Sequence, residues 1–280
     1  SREKFEKAGL ALGHKIFGKE FHEEAYSEHP YVRGILSGFD VEIVPTYKVA
    51  HAHEKLAAVD RTPFHAAYMR KKLSKEQCRD VRLLKQFLKG ISVYGADVKM
   101  QGVPGYLVEI LILQYGSFAS ALESISQWRE HTISDVENHY PTRNDAKTLF
   151  PHAPLIVIDP TDRSRNVAAA LSLNQLARFI AATRAFLKKP SEKFFFAHEN
   201  EPISLREMQS ILRAEEFIGI SFSYPKGLLE DMAWGQLRRL AKKIGNGLIE
   251  KDFCLRRSFE WTNGKDACVI LFDVENPILQ

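Results

Sequence analysis

Two carboxylates, Asp40 and Glu42, stand either side of Val41 in the run GFDVEIVPTY. Side chains alternate across a β-strand, so the two acids share one face while Val41 and Ile43 share the other. A strand with acids on one face and a packed opposite face can hold a divalent cation over a sheet. Mg²⁺ takes hard oxygens in near-octahedral geometry, usually one or two carboxylates with substrate phosphates completing the shell. Acids on a solvent-facing strand also serve solubility, because charged residues lie outside as a rule. The pair by itself does not choose between these readings.

The elements that would position the pair can be read from spacing. Val41, Ile43 and Val44 are β-branched and follow a Ser37-Gly38 turn, which makes them the second arm of a hairpin whose first arm covers residues 31–36. Pro45 ends the strand. Upstream, Phe5, Leu10, Leu12, Ile16 and Phe17 recur at helical spacing, with Gly18 suited to the C-terminal side. Downstream, residues 51–55 read as a linker. AVDRTPFH then turns into a helix, with Asp60 or Thr62 as N-cap and Pro63 in the first turn. Val81, Leu84 and Leu88 mark the inside of a later helix. Residues 103–118 form the most apolar segment, a helix buried all round, and 117–128 continue in helical register with Trp128 packing. This predicts an all-helical middle domain. LIVIDP (155–160) is a short buried strand, TDRSRN a turn, and 168–186 a long helix closed by Pro190.

Beyond Pro190 the pattern changes to helix (205–212), strand (217–224), helix (228–249), strand (252–261), an Asn263-Gly264 turn and strand (267–274). That order suggests a ferredoxin-like sheet with helices on one face. The long helix sets Leu237, Leu240, Ile244 and Leu248 against Arg238, Arg239, Lys242 and Lys243. Such a basic face either meets phosphates, giving salt-dependent and sequence-independent affinity, or is simply solvated.

Composition sets wide bounds. A chain of 280 residues, 45% hydrophobic and 26% charged, has room for two ordinary globular domains. Cys78, Cys254 and Cys268 show neither metal spacing nor an even-numbered framework, which fits a reducing compartment. No apolar run reaches membrane-spanning length and no signal peptide is evident, so a soluble intracellular protein is expected. A net charge of +4 permits nucleic-acid binding without requiring it. The histidines between 131 and 139 lack ligand spacing, and no metal is assigned there.

The runs GFDVEIVPTYKV, AVDRTPFH, VRLLKQFLK, VYGADVKMQGVPGYLVEILILQYGSF and DPTDRSRNVAAALS, in that order, resemble the archaeal-type CCA-adding enzymes. These are tRNA nucleotidyltransferases that complete the tRNA 3′ end without a template. The resemblance covers nearly the whole chain and implies an α+β fold. Residues 1–57 would be the C-terminal part of a nucleotidyltransferase palm domain. Residues 58–190 would be a helical central domain for nucleotide and substrate, and 191–280 a ferredoxin-like body domain touching the tRNA acceptor stem. The implied reaction adds C, C and A from CTP and ATP with Mg²⁺ and releases pyrophosphate. It implies a cytoplasmic protein with no membrane partner, and it allows a homodimer.

The resemblance also assigns residues. Glu42 aligns with the third metal carboxylate of the family, where Asp is expected. Asp40, two residues earlier on the same face, is the alternative ligand. His65, Lys85 and Tyr94 fall in the nucleotide pocket. Their types fit: an ammonium for phosphate, an imidazole donor, and a ring with a hydroxyl; Thr62 is an extra donor. Asp159, Arg163, Arg165 and Asn166 fall beside the base. Arg165 leads that group, because a guanidinium fork can pair with two acceptors on cytosine and rearrange for adenine; a helix-capping loop with surface arginines is the other reading. The basic face of Arg238, Arg239, Lys242 and Lys243 would carry tRNA.

Two departures matter. The family's Gly-Ser motif and its acid-x-Asp pair lie upstream of anything in these residues, and its tail domain lies beyond Gln280. Two-metal transfer needs several carboxylates around both ions, so the chain is expected to be an internal portion of a longer enzyme, inactive by itself. Two alternatives compete. One is a non-catalytic RNA-binding module. The other is a poly(A) polymerase or oligoadenylate synthase-like relative, which would ignore CTP.

Overall fold

The computed structural model describes residues 2–18, 21–26, 30–54, 57–196, 204–214, 216–228 and 230–275; Gln280 and Lys55 lie outside them. Helix α1 (Arg2–Phe17) lies against an antiparallel meander of β1 (Phe21–Tyr26), β2 (Pro30–Leu36) and β3 (Phe39–Ile43). Ser37 and Gly38 both have positive φ, 51° and 80°, which is the two-residue turn that matches strand twist. Leu36 therefore pairs with Phe39, and the register sets Arg33 opposite Glu42 and Ile35 opposite Asp40. Val32 faces the other way and is fully buried. The hairpin and its acid face follow the expectation from spacing.

The next region contains α2 (Thr62–Lys72), α3 (Lys75–Gly90), α4 (Gly105–Tyr115), α5 (Phe118–Ser126), α6 (Arg143–Leu149) and α7 (Leu173–Lys188). Leu84, Phe87, Leu107, Ile110, Leu111, Leu122 and Phe179 form its core. It is not all-helical. β4 (Thr132–Ser134) runs parallel to β5 (Leu155–Asp159), which pairs antiparallel with β6 (Asp162–Asn166). β5 is buried along its whole length, as its apolar run predicts. β6 reads as a turn because DRSRN has no apolar alternation; it is a strand because β5 offers it a partner. Two helix boundaries also move. Gly116, at φ 87°, ends α4, and α5 leaves at 95° to it instead of continuing in register. Ser172 caps α7 by accepting from the Gln175 amide, so that helix begins at Leu173 and not at Ala168.

The last region holds α8 (Leu205–Ala214), β7 (Glu216–Ser223), α9 (Glu230–Ile249), β8 (Cys254–Thr262) and β9 (Ala267–Glu275), in sheet order β7-β9-β8. Both outer strands run antiparallel to β9 and hence parallel to each other, a split β-α-β arrangement. Ala233, Leu237 and Ala241 of α9 pack on Cys268, Ile270 and Phe272. Leu240, expected on that face, is 38% exposed, and Ala241 fills the core position instead. Asn263 Oδ1 closes the last hairpin by accepting the amides of Lys265, Asp266 and Ala267. Among the described residues no single helix is long and apolar enough to cross a membrane.

Candidate nucleotide site

β5 alternates, and alternation decides where its last residue points. Leu155 and Val157 face the helical core, whereas Ile156 and Ile158 face a smaller cluster with Ala146. Asp159 shares the parity of Leu155 and Val157, so a carboxylate meets the helices at the end of a buried strand. It is fully buried and densely hydrogen-bonded. Oδ2 accepts from His65 Nε2 at 2.9 Å and from an Arg165 Nη1 at 2.8 Å. Oδ1 accepts from the Thr161 amide at 2.9 Å, the Thr161 hydroxyl at 2.8 Å and the Tyr106 hydroxyl at 3.4 Å. Burial alone would raise the Asp159 carboxyl. Hydrogen bonds from His65, Thr161 and Arg165, with the positive charge of His65, outweigh it and hold the group well below the usual carboxylate range.

His65 lies on the first turn of α2 and stacks on Tyr106, ring centroids 3.8 Å apart at 13°. Burial and the neighbouring Asp159 push the Tyr106 phenol up, so it remains a hydrogen-bond donor. One turn earlier, Arg61 makes a buried ion pair with Asp162 at 3.7 Å. The Asp-Pro-Thr-Asp turn between β5 and β6 therefore holds two side chains, Arg61 and His65, from the entrance of α2.

Tyr106 is the second residue of α4, and the first is Gly105. A Cβ at Gly105 would lie 3.1 Å from the Tyr94 hydroxyl and 3.6 Å from Lys85 Nζ. Lys85 reaches there from α3 and also meets Glu109 at 3.1 Å. Two groups thus converge on one helix end: Lys85 and Tyr94 at Gly105, and His65, Asp159 and Arg165 at Tyr106. The free N–H groups and positive dipole end of α4 lie between them. An open cleft of ≈ 960 Å³ runs alongside, lined by Arg61, Pro104, Asp162, Ser164 and Arg165.

The other expected residues are placed differently. Thr62 is exposed at the first position of α2. Arg163 points outward, its guanidinium 5.8 Å from the Tyr140 ring centroid. Asn166 is buried and turned inward: its amide serves the backbone of Leu155, Val157 and Ala168, which braces the turn after β6. On α9, Arg239, Lys242 and Lys243 are exposed, while Arg238 donates to the Lys99 carbonyl at 2.8 Å.

For a metal, the described residues contain no cluster of three or more His, Cys, Asp or Glu side chains. On β3, Asp40 is held by Arg33, whose Nε donates to Oδ1 at 2.8 Å. Glu42 is exposed and its side chain makes no ion pair or hydrogen bond among the described residues. Its carboxylate oxygens are of the hard type that Mg²⁺ takes, and no neighbouring side chain among those residues occupies them. Asp40 fits less well, because Arg33 would have to release it.

Sequence reading missed Tyr106, Glu109, Gly105 and the Arg61–Asp162 pair. Glu109 carried a signal, being the one charged residue in GYLVEILILQY. The others become visible only when α2, α4 and the β5–β6 turn are brought together.

The chain is similar to known proteins over most of its length. Residues 79–196 match a family described as tRNA nucleotidyltransferase, second domain, and residues 213–279 match CCA-adding enzyme, C-terminal domain. The chain is 41% identical over 265 residues to the CCA-adding enzyme of Halorubrum lacusprofundi, covering 94% of this chain and 55% of that protein. It is 39% identical over 251 residues to the CCA-adding enzyme of Pyrobaculum neutrophilum, covering 90% and 56%. The chain spans about half the length of the curated relatives it matches. Among solved structures it is similar to a cytoplasmic RNA terminal U-transferase, with TM-score 0.51 and 14% identity over 70% of this chain and 77% of that one. At that identity the likeness is one of fold.

Proposed function

The chain belongs to the CCA-adding enzyme family, and on that premise we propose that its residues serve template-independent addition of C, C and A to the 3′ end of tRNA from CTP and ATP. The observation that carries the reading is the convergence of Lys85, Tyr94, His65 and Arg165 on the first turn of α4. In this reading the triphosphate lies at that turn, taken by the Lys85 ammonium, the Tyr94 hydroxyl and the backbone N–H groups. Asp159 fixes His65 and Arg165 from behind. The remaining N–H groups of Arg165 face the cleft and pair with acceptors on cytosine or adenine. Thr62 and Arg163 stand at the rim as further donors, and Asn166 supports the backbone beneath.

Glu42 would hold Mg²⁺, which supplies charge neutralisation at the phosphates and activation of the attacking 3′-oxygen. Residues 1–57 serve as part of the palm domain, 58–190 as the nucleotide-binding domain and 191–280 as a ferredoxin-like body. Arg239, Lys242 and Lys243 meet acceptor-stem phosphates, and the protein works in the cytoplasm. The split β-α-β arrangement supports the ferredoxin-like reading by supplying half of that fold.

The test is incorporation of labelled CMP and AMP into a tRNA transcript lacking its terminal CCA, using protein of the relatives' full length. Ordered C, C, A addition is expected. Use of ATP with CTP ignored would mean a poly(A) polymerase-like activity. Binding of tRNA with no transfer from either nucleotide would mean a binding module.

A further inference from the structure

The segment from Tyr94 to Gly105 is a closed loop. Tyr94 bridges Val103, the Gly95 amide donates to the Val103 carbonyl at 3.0 Å, and the Gly102 amide donates to the Gly95 carbonyl at 2.8 Å. The base of this loop carries Tyr94 on one side and the first turn of α4 on the other. Its flank is tied to the chain that follows Arg165: Gln175 Nε2 donates to the Met100 carbonyl at 2.9 Å, and the Ser172 amide to the Gln101 carbonyl at 2.9 Å.

The tip of the loop, at Lys99, is docked on α9. Arg238 donates to the Lys99 carbonyl at 2.8 Å. Lys99 Nζ lies 3.3 Å from Glu230 Oε1. Both cations sit over the indole of Trp234, Lys99 Nζ at 5.7 Å and the Arg238 guanidinium carbon at 5.5 Å from the ring centroid. Trp234 is 5% exposed, and its Nε1 donates to Glu230 at 3.3 Å. Cations over a desolvated indole are held more strongly than at an open surface. Together these contacts clamp the loop tip to α9.

We propose that Trp234 and Arg238 are positioning residues for the nucleotide site, clamping the tip of the 94–105 loop to α9 so that Tyr94 and Gly105 are held in register. The inference rests on the reading of Lys85, Tyr94 and Gly105 as the triphosphate end of that site. It gives Arg238 a task other than the RNA-phosphate contact expected from its neighbours on α9. It also means that an RNA resting on the basic face of α9 would press on the element that sets the loop.

Hydrogen exchange on the full chain, with CTP binding measured in parallel, tests this. Arg238→Met keeps the aliphatic stem and removes the fork. The amides of Gly95, Gly102 and Val103 should exchange about tenfold faster, equivalent to about 1.4 kcal/mol, while Ile270 and Phe272 of β9 stay protected. The CTP dissociation constant should rise by a similar factor. Trp234→Phe, which keeps a ring, should show a smaller change in both. Unchanged exchange at Gly95, Gly102 and Val103 would overturn the clamp. So would unchanged CTP affinity beside weakened RNA binding, which would make Arg238 an RNA contact. If Arg238→Met also exposes β9, the milder Trp234→Phe decides, and unaltered loop exchange there overturns the proposal. A wild-type chain that binds no CTP would remove the nucleotide-site reading instead, and the exchange rates alone would then judge the clamp.

Discussion

His65 Nε2 lies 2.9 Å from Asp159 Oδ2, across 94 residues of sequence. The same carboxylate oxygen takes Arg165 at 2.8 Å, so one buried acid orients both a residue of α2 and a residue of β6. Replacing either partner leaves the other. Replacing the acid releases both.

Asp159→Asn should therefore destabilise the fold by about 3 kcal/mol at pH 7, the cost of breaking a buried charge pair from one side. The sign with pH follows from the depressed carboxyl. Its stabilisation is fully present above the unfolded pKa, about 3.9, and is lost as pH falls from there through the lower folded value. Urea midpoints at pH 7 and pH 3 should show the gap between wild type and variant shrinking in acid. An equal gap at both would mean that Asp159 does not act through its charge.

Gly105→Ala separates binding from stability. The methyl would stand between the Tyr94 hydroxyl and the Lys85 ammonium, where the nucleotide-site reading puts phosphate. CTP affinity should fall roughly tenfold, the loss of one charge-assisted contact. The melting temperature should change little. Gly105 opens α4, where the preference for Ala over Gly is weaker than the roughly 1 kcal/mol of a helix interior, and the methyl meets the Tyr94 hydroxyl at 3.1 Å. Calorimetric titration beside a thermal melt checks both, and unchanged affinity would move the phosphate away from α4.

Glu109 holds the Lys85 ammonium and would compete for it with the phosphate of a bound nucleotide. The pair is partly exposed, 28% on each side, and such pairs are worth roughly 0.2–1 kcal/mol. Glu109→Gln should free the ammonium and tighten CTP by up to about fivefold. Lys85→Ala should weaken it by about tenfold or more, as for a hydrogen bond to a charged group. In the double variant the benefit of Glu109→Gln should vanish, since there is no ammonium left to free. A benefit that persists without Lys85 would refute the competition.

Glu42 and Asp40 are distinguished by Arg33. Asp40 is already engaged by Arg33, whereas Glu42 is exposed opposite it in register. In the protein at full length, Glu42→Ala should lower CMP incorporation by roughly 10²–10³, the scale for removing one electrostatic stabiliser of a reacting centre. Asp40→Ala should cost far less, and chelation of divalent cations should stop transfer in the wild type. Wild-type rates in Glu42→Ala would remove it from the metal site.

The sequence by itself determined the local elements that rest on short-range rules. The Ser37-Gly38 hairpin, the shared face of Asp40 and Glu42, the buried run of β5, the Asn263-Gly264 turn and the order of elements after Pro190 all follow from alternation, turn residues and helical period. These act between neighbours a few residues apart, and neighbours are what a sequence displays. Tertiary structure alone decided the rest. DRSRN has no apolar pattern and becomes a strand because β5 lies beside it. The 103–128 run looks like one continuous helix and breaks because Gly116 takes a left-handed φ that the core packing uses to turn α5 away. Asp159 reads as one acid in a turn. Only strand parity combined with the packing of α2 and α4 aims it at His65, Tyr106 and Arg165. Arg238 has the same charge and helix period as Arg239, yet the loop tip at Lys99 covers one and not the other. Charge and period are local properties, whereas burial and partnership depend on which distant segments the fold brings into contact.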